Sequence, residues 1–314
     1  MEKQKIAIID LGTNTFHLLI VSYDERQNYQ VIHRERRAVM IGRGGINEGI
    51  ISGEAQQRAL DALDHFRKII EKHKVGQIAS TATSAFRNAK NGQQLADRIL
   101  HETGISIDII SGAQEAEYIF MGVQSAMPLQ GRSLIMDIGG GSVEFIICDA
   151  DQILWKESFE IGAQRLLDRY EIMDPISENN IQSLLNYFQE QLESLNQAIT
   201  KYKPTTLIGA SGTFDTLSDI YVINENFSVT PNASELPLTY DFFQNTLAEL
   251  SRKDRKARLE IPGMIEMRVD MIVVASWLVQ FILETYHIRN IRVSAFALKE
   301  GLLKSATEQL IANQ

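Results

Sequence analysis

Two stretches of the chain set an acid at the head of a turn built from glycine and hydroxyl residues: IIDLGTNTFHLLIV at 8–21 and IMDIGGGSVEFIIC at 135–148. Laid on each other without a gap, Asp10 meets Asp137, Gly12 meets Gly139 and Thr15 meets Ser142, within apolar frames of equal length. In each copy an apolar run leads to the acid, a short turn follows and a second apolar run returns, which predicts a β-hairpin. Glycine admits positive φ and close backbone approach, so successive N–H groups can face one concavity. Such a nest takes phosphate oxygens without cationic side chains. Gly12, Thr13, Asn14 and Thr15 form one candidate cradle, and Gly139, Gly140, Gly141 and Ser142 the other. Asp10, Asp137 and Glu144 are candidate ligands of Mg²⁺, which takes a few carboxylates and keeps several waters. Ion pairing and capping of a hairpin are the plain alternative for the same acids.

Phosphoryl transfer to water also needs a group that orients and deprotonates the nucleophile. In SGAQEAEYIFMGV (111–123), Ser111 and Gln114 have capping-box spacing, so Glu115 falls in the first turn of a helix, where the dipole favours a carboxylate. A first-turn glutamate can equally be a helix stabiliser. Arg87, in STATSAFRNAKN, follows a strand among small hydroxyl residues, a setting for a bidentate phosphate contact or for a salt bridge. A third glycine turn, IGASGT (208–213), ends a strand and opens a helix. Its Gly212 and Thr213 are candidates for a further phosphate or nucleoside contact, with close packing as the alternative.

These residues need a scaffold that presents both turns. The two copies are 127 residues apart, a domain length, which predicts internal duplication. A chain of 314 residues also exceeds the usual single core. The division expected is 1–127 together with a returning helix at 301–314, and 128–300. Helical spacing of Leu60, Leu63, Phe66 and Ile70 predicts a helix over 52–73 with Ser52 as N-cap, and a longer apolar stripe predicts one over 177–202. Short strands alternate with these helices, so the class is α/β with mixed sheets. Two such lobes are expected to close on a chain of phosphates across an interdomain cleft.

Charge narrows the partners. The net charge of −9 disfavours nonspecific nucleic-acid binding. Residues 1–127 carry 15 basic and 15 acidic side chains, so the whole excess lies in the second half. The basic cluster HRERR (33–37) with Arg43, Arg87 and Lys90 reads as solvated surface or as a receptor for an anion. The single cysteine, Cys148, excludes an internal disulfide and reads as a packing residue. The longest apolar stretch, MIVVASWLVQFIL (271–283), is too short to span a bilayer, so a cytoplasmic location without membrane contact is expected.

Together these stretches resemble the exopolyphosphatase/guanosine pentaphosphate phosphohydrolase (Ppx/GppA) family of the actin-like superfamily. The resemblance runs in order through DLGTNTFHLLI, TSAFRNAKN, SGAQEAEYIFMGV, DIGGGSVEF, GASGT and ALKEGLL. It implies two duplicated actin-like, ribonuclease H-like domains and removal of the terminal phosphate from inorganic polyphosphate or pppGpp with Mg²⁺. It also implies Glu115 as general base, Arg87 as a grip on the phosphate chain, and Asp137 and Glu144 as holders of metal or water. A homodimer is compatible with it. Longer relatives continue past ALKEGLL into a helical domain, so this chain looks like the short form, for which strong processivity is not expected. Where the family has E-R-A-D, the chain reads Met267-Arg268-Val269-Asp270, and a Pro-Gly pair is replaced by Val274-Ala275, which weakens nucleotide specificity. A superfamily kinase or ATPase, and a noncatalytic ppGpp sensor, are the readings from other classes.

Overall fold

The computed structural model describes residues 4–24, 29–230 and 232–312, so both chain termini of the expected first domain fall outside it. The chain divides into two compact units, one running to Gly122 and resuming at Leu298, the other spanning Val123–Ala297. The first crossing from unit to unit therefore falls within a helix rather than at the expected 127/128.

The first unit contains β1 (Gln4–Leu11), β2 (Thr15–Tyr23), β3 (Tyr29–Ala38), α1 (Gly53–Lys72), β4 (Gln77–Ala82), α2 (Ser84–Asn88), α3 (Gly92–Thr103), β5 (Asp108–Ile109) and the start of α4 (Gly112–Ala126). Its sheet has the order β3-β2-β1-β4-β5, antiparallel through the first three strands and parallel beyond. In the second unit come β6 (Ser133–Ile138), β7 (Val143–Cys148), β8 (Ile153–Phe159), α5 (Ala163–Arg169), α6 (Glu178–Gln191), α7 (Glu193–Tyr202), β9 (Thr206–Ala210), α8 (Ser211–Asn224), β10 (Glu235–Leu236), α9 (Tyr240–Arg252), α10 (Arg255–Leu259), α11 (Ile272–Thr285) and β11 (Asn290–Ser294). Read from its β8 edge, that sheet has the order β8-β7-β6-β9-β11-β10. The first five strands repeat the order, and the pairings that join them repeat the directions, of the first sheet. Two mixed sheets of one duplicated topology make this an α/β protein, the class expected.

Alternation along β1 and β2 supplies both faces of the first sheet. Ala7, Ile9, Leu18 and Ile20 pack with Leu60, Leu63 and Phe66 of α1. Ile6, Ile8, Leu19 and Val21 pack with Leu302 and Leu303 of α12 (Leu298–Ala312), the returning helix. At Gly301 a Cβ would lie 1.7 Å from the Tyr118 carbonyl oxygen, so only glycine lets α12 approach α4 so closely. In the second unit Leu134, Met136, Phe145 and Ile147 join the helices in one core. Ser52 caps α1 as expected, its Oγ accepting from Ala55 N–H at 3.3 Å.

Three sequence expectations differ from the structure. The helix expected over 177–202 breaks at Leu192 into α6 and α7, yet the apolar stripe through Leu184, Phe188, Leu192, Leu195 and Ile199 is buried along both, so periodicity could not show the break. SIDIIS (106–111), whose apolar run predicts a strand, forms only the two residues of β5. Each hairpin gains a third strand. β3 is the exposed edge of its sheet and has no apolar alternation to announce it, and the basic cluster at 33–37 lies along it. There Glu35 joins His65 and His33 through Nε2 contacts of 2.9 and 3.3 Å, so part of that cluster is internally compensated. Cys148 is fully buried and desolvation pushes its thiol up to about 12, which makes it the packing residue expected. Among the described residues no helix is long and apolar enough to cross a membrane.

Candidate active site

The two turns are built alike. Gly12 N–H donates to Thr15 O at 3.1 Å, and Gly139 N–H to Ser142 O at 3.0 Å. A Cβ on either leading glycine would press on that same carbonyl, at 3.0 and 3.1 Å. In both, the segment leaving the third strand ties back the carbonyls. Thr13 O accepts from Gly42 N–H, and Asn14 O from Val39 and Met40 N–H at 3.0 and 2.9 Å. In the second turn, Gly139 O accepts from Ala163 N–H, Gly140 O from Gln164 and Arg165 N–H, and Gly141 O from Gly162 N–H. Since C=O and the following N–H point opposite ways across a trans peptide, carbonyls held on one side turn the N–H groups of Gly140, Gly141 and Ser142 to the other. A row of like-pointing amides is an anion-binding nest. The positive φ expected of these glycines is not adopted at 12–15 or 139–142, and the turns are held instead by the hydrogen bonds to their carbonyls.

Next to the second turn stands a polar row across the sheet. Asp137 on β6 faces Glu144 on β7, which faces Ser158 on β8. Opposed residues of antiparallel strands share a face, with Cβ atoms about 5 Å apart. Both acids are buried, with relative exposures of 6% and 2%. Ser158 Oγ donates to Glu144 Oε1 and Ser211 Oγ to Asp137 Oδ2, each at 2.7 Å. Two buried carboxylates held side by side repel unless a proton or a cation lies with them. Among the described residues no group of three or more His, Cys, Asp or Glu is arranged to hold a metal ion. A pair of carboxylates is nonetheless what Mg²⁺ takes when phosphate oxygens and water complete its shell, so the donor set fits that ion.

Ser211, which sequence reasoning did not single out, opens α8 with φ of +66°, in the left-handed region that costs a non-glycine residue energy. The strained turn aims its hydroxyl at Asp137. The neighbouring glycines prove to be close-packing positions. Gly209 lies beneath the Phe214 ring, and a Cβ at Gly212 would fall 1.8 Å from Nη2 of Arg268, whose guanidinium covers it. Thr213 is buried beside them. The sequence signal for Ser211 was the hydroxyl between alanine and glycine at a strand-to-helix junction. Ser158 and Gly162 gave no signal because β8 itself was not foreseen.

In the first unit Asp10 lies on β1, facing His17 on β2 and, on the parallel side, Thr81 of β4. Arg87, at the end of α2, and Glu115, in the first turn of α4, come together although 28 residues apart. Arg87 Nη1 donates to Glu115 Oε2 at 2.8 Å and to Ile110 O at 3.1 Å. Ser111 Oγ accepts from Gln114 N–H at 3.2 Å, the cap the spacing predicts, and fixes the turn that carries Glu115. Glu115 is 6% exposed and has the guanidinium as counter-charge. Removing one partner of such a buried pair costs about 3–5 kcal/mol.

The profile of the Ppx/GppA phosphatase family matches residues 19–310. The crystal structure of an exopolyphosphatase from Cytophaga hutchinsonii is 45% identical, covers 98% of each chain and superposes with a TM-score of 0.94. A Haemophilus influenzae protein classed as an exopolyphosphatase is 29% identical over 96% of this chain and 91% of its own length. A guanosine-5'-triphosphate,3'-diphosphate pyrophosphatase of Aliivibrio fischeri is 28% identical over 97% of this chain, which spans only 59% of that protein.

Proposed function

The chain belongs to the Ppx/GppA phosphatase family, and from that premise we propose that it is a cytoplasmic exopolyphosphatase, releasing the terminal phosphate of inorganic polyphosphate by attack of water. The observation that carries the reading is the repeated turn, two nests whose carbonyls are tied back and whose N–H groups are turned the other way. Polyphosphate is preferred to pppGpp because the Cytophaga hutchinsonii exopolyphosphatase is 45% identical to this chain, whereas the Aliivibrio fischeri pyrophosphatase is 28% identical.

Glu115 is the general base in this reading: its carboxylate takes the proton of the attacking water, and Arg87 holds the carboxylate in place from Nη1. Asp137 and Glu144 would hold Mg²⁺. That ion supplies neutralisation of charge on the phosphate oxygens. The amides of Gly140, Gly141 and Ser142, matched by those of the turn Gly12–Thr15, orient the phosphate chain and stabilise charge as it develops on the transferred group. Ser158 and Ser211 fix the two carboxylates by donating to them.

The test is phosphate release from short polyphosphate, long polyphosphate, pppGpp and ATP by the parent chain and by Glu115→Gln. The expected outcome is release from polyphosphate that falls by about 10²- to 10⁴-fold in the variant, with polyphosphate binding retained. No release from any substrate, or equal release by both proteins, overturns the reading.

A further inference from the structure

The side chain of Arg165 lies behind the second turn. Its Nε donates to Gly141 O at 2.8 Å and its Nη2 to Glu160 Oε2 at 2.9 Å, while its own N–H reaches Gly140 O at 3.3 Å. The guanidinium is well buried, 12% exposed, on a helix start whose approach depends on Gly162. A Cβ there would fall 2.5 Å from backbone atoms of Gly140 and Gly141. One residue thus holds two successive carbonyls of the turn, one through its backbone and one through its side chain. The peptide joining Gly141 to Ser142 is planar, so fixing its oxygen fixes the direction of Ser142 N–H. With Glu160 beside it, the guanidinium's charge is partly compensated, and its effect is one of orientation rather than field.

We infer that Arg165 is a positioning residue of the phosphate cradle, holding Gly141 O from behind so that Ser142 N–H faces the phosphoryl oxygen. This rests on the reading of that turn as a phosphate cradle. In the first unit the matching carbonyl, Asn14 O, takes two backbone N–H groups, and Arg58 acts one step further back, donating to Val39 O and Met40 O at 2.7 and 2.9 Å. The direct guanidinium contact therefore distinguishes the turn that adjoins the paired acids.

Arg165→Met, which keeps the bulk and loses the donors, is compared with the parent in steady-state hydrolysis of tripolyphosphate and in amide hydrogen exchange of the ligand-free protein. The expected result is a fall of about 10- to 100-fold in kcat/KM, the size seen when the support of a reactive group is lost. It is carried mainly by kcat, with faster exchange at 140–142, unchanged exchange at 12–15 and a thermal midpoint near that of the parent. A kcat/KM within twofold of the parent, unchanged exchange at 140–142, or exchange accelerated across the whole second unit overturns the inference. Should Arg165→Met fail to fold, Glu160→Gln, which loosens only the outer contact, decides on the same two readouts with a loss of a fewfold. If the parent releases no phosphate, the functional reading has failed and exchange alone decides whether Arg165 positions the turn.

Discussion

The row that crosses each sheet through the acid before the turn differs between the units. In the second it reads Asp137, Glu144, Ser158, and in the first Asp10, His17, Arg36. The backbone frame is the same, down to the closing hydrogen bond of 3.0 or 3.1 Å. The charges are not. The second row gathers two acids and a hydroxyl, a set that a divalent cation completes. The first places one acid in register with an imidazole and, on the exposed edge strand, a guanidinium. Under the proposed function, the two positions beside the acid assign the cation to the second turn.

A large effect, second only to that of Glu115→Gln, tests that assignment. Glu144→Gln removes one of the paired charges, and since a bound metal is worth several kcal/mol of charge stabilisation, hydrolysis is expected to fall by about 10²- to 10³-fold. His17→Gln, at the matching position, is expected to cost less than about tenfold, because no ligand is lost there. The check is phosphate release over a Mg²⁺ titration. Equal losses from both variants would break the comparison.

A smaller effect is expected from the hydroxyls. Ser158→Ala and Ser211→Ala each remove a 2.7 Å donor to a carboxylate of the pair. Loss of a group that orients a metal ligand weakens the ion by about 10-fold or more, so calorimetric Mn²⁺ or Mg²⁺ affinity should fall by that order in both variants. Arg36→Ala, the counterpart of the Ser158 change, should leave it unchanged. An Arg36→Ala variant that binds the ion as weakly would place the cation in the first unit as well.

The sequence made the cradles legible because their information is local. Acid, glycine and hydroxyl sit within six residues, and apolar frames flank them at an offset of 127 residues, so the pattern survives without tertiary structure. What supports them is not local. The carbonyls of the second turn are held by residues 162–165, which lie beyond an edge strand without apolar alternation, and those of the first by residues 39–42, after another. The Arg87–Glu115 pair joins two helix ends 28 residues apart. Each residue had been singled out from its own surroundings, and neither context held the other. Gly212 was legible as a special position with two readings left open, since close approach to a side chain and to a ligand demand the same missing Cβ, and the Arg268 guanidinium occupies that space.

The smallest expected effect sharpens the contrast in charge through pH. Five of the six histidines, His17, His33, His65, His73 and His101, lie in the first unit, and only His287 in the second. His73 stands at the C-terminal end of α1, its ring 5.6 Å from that of His33. Burial first, then the nearness of His33, Lys72 and Lys5, lowers its affinity for a proton below the ordinary 6.5. The unfolded chain therefore binds the proton at a higher pH than the folded one. This contribution to stability is present in full above about pH 6.5 and is lost as pH falls through the lower folded value. His73→Gln removes the linkage, so its thermal midpoint should drop less than the parent's between pH 7.5 and 5.5. The group is only partly covered, and the difference is expected to be the least of these effects. A variant whose midpoint falls as steeply as the parent's would show that the first unit's acid sensitivity lies elsewhere.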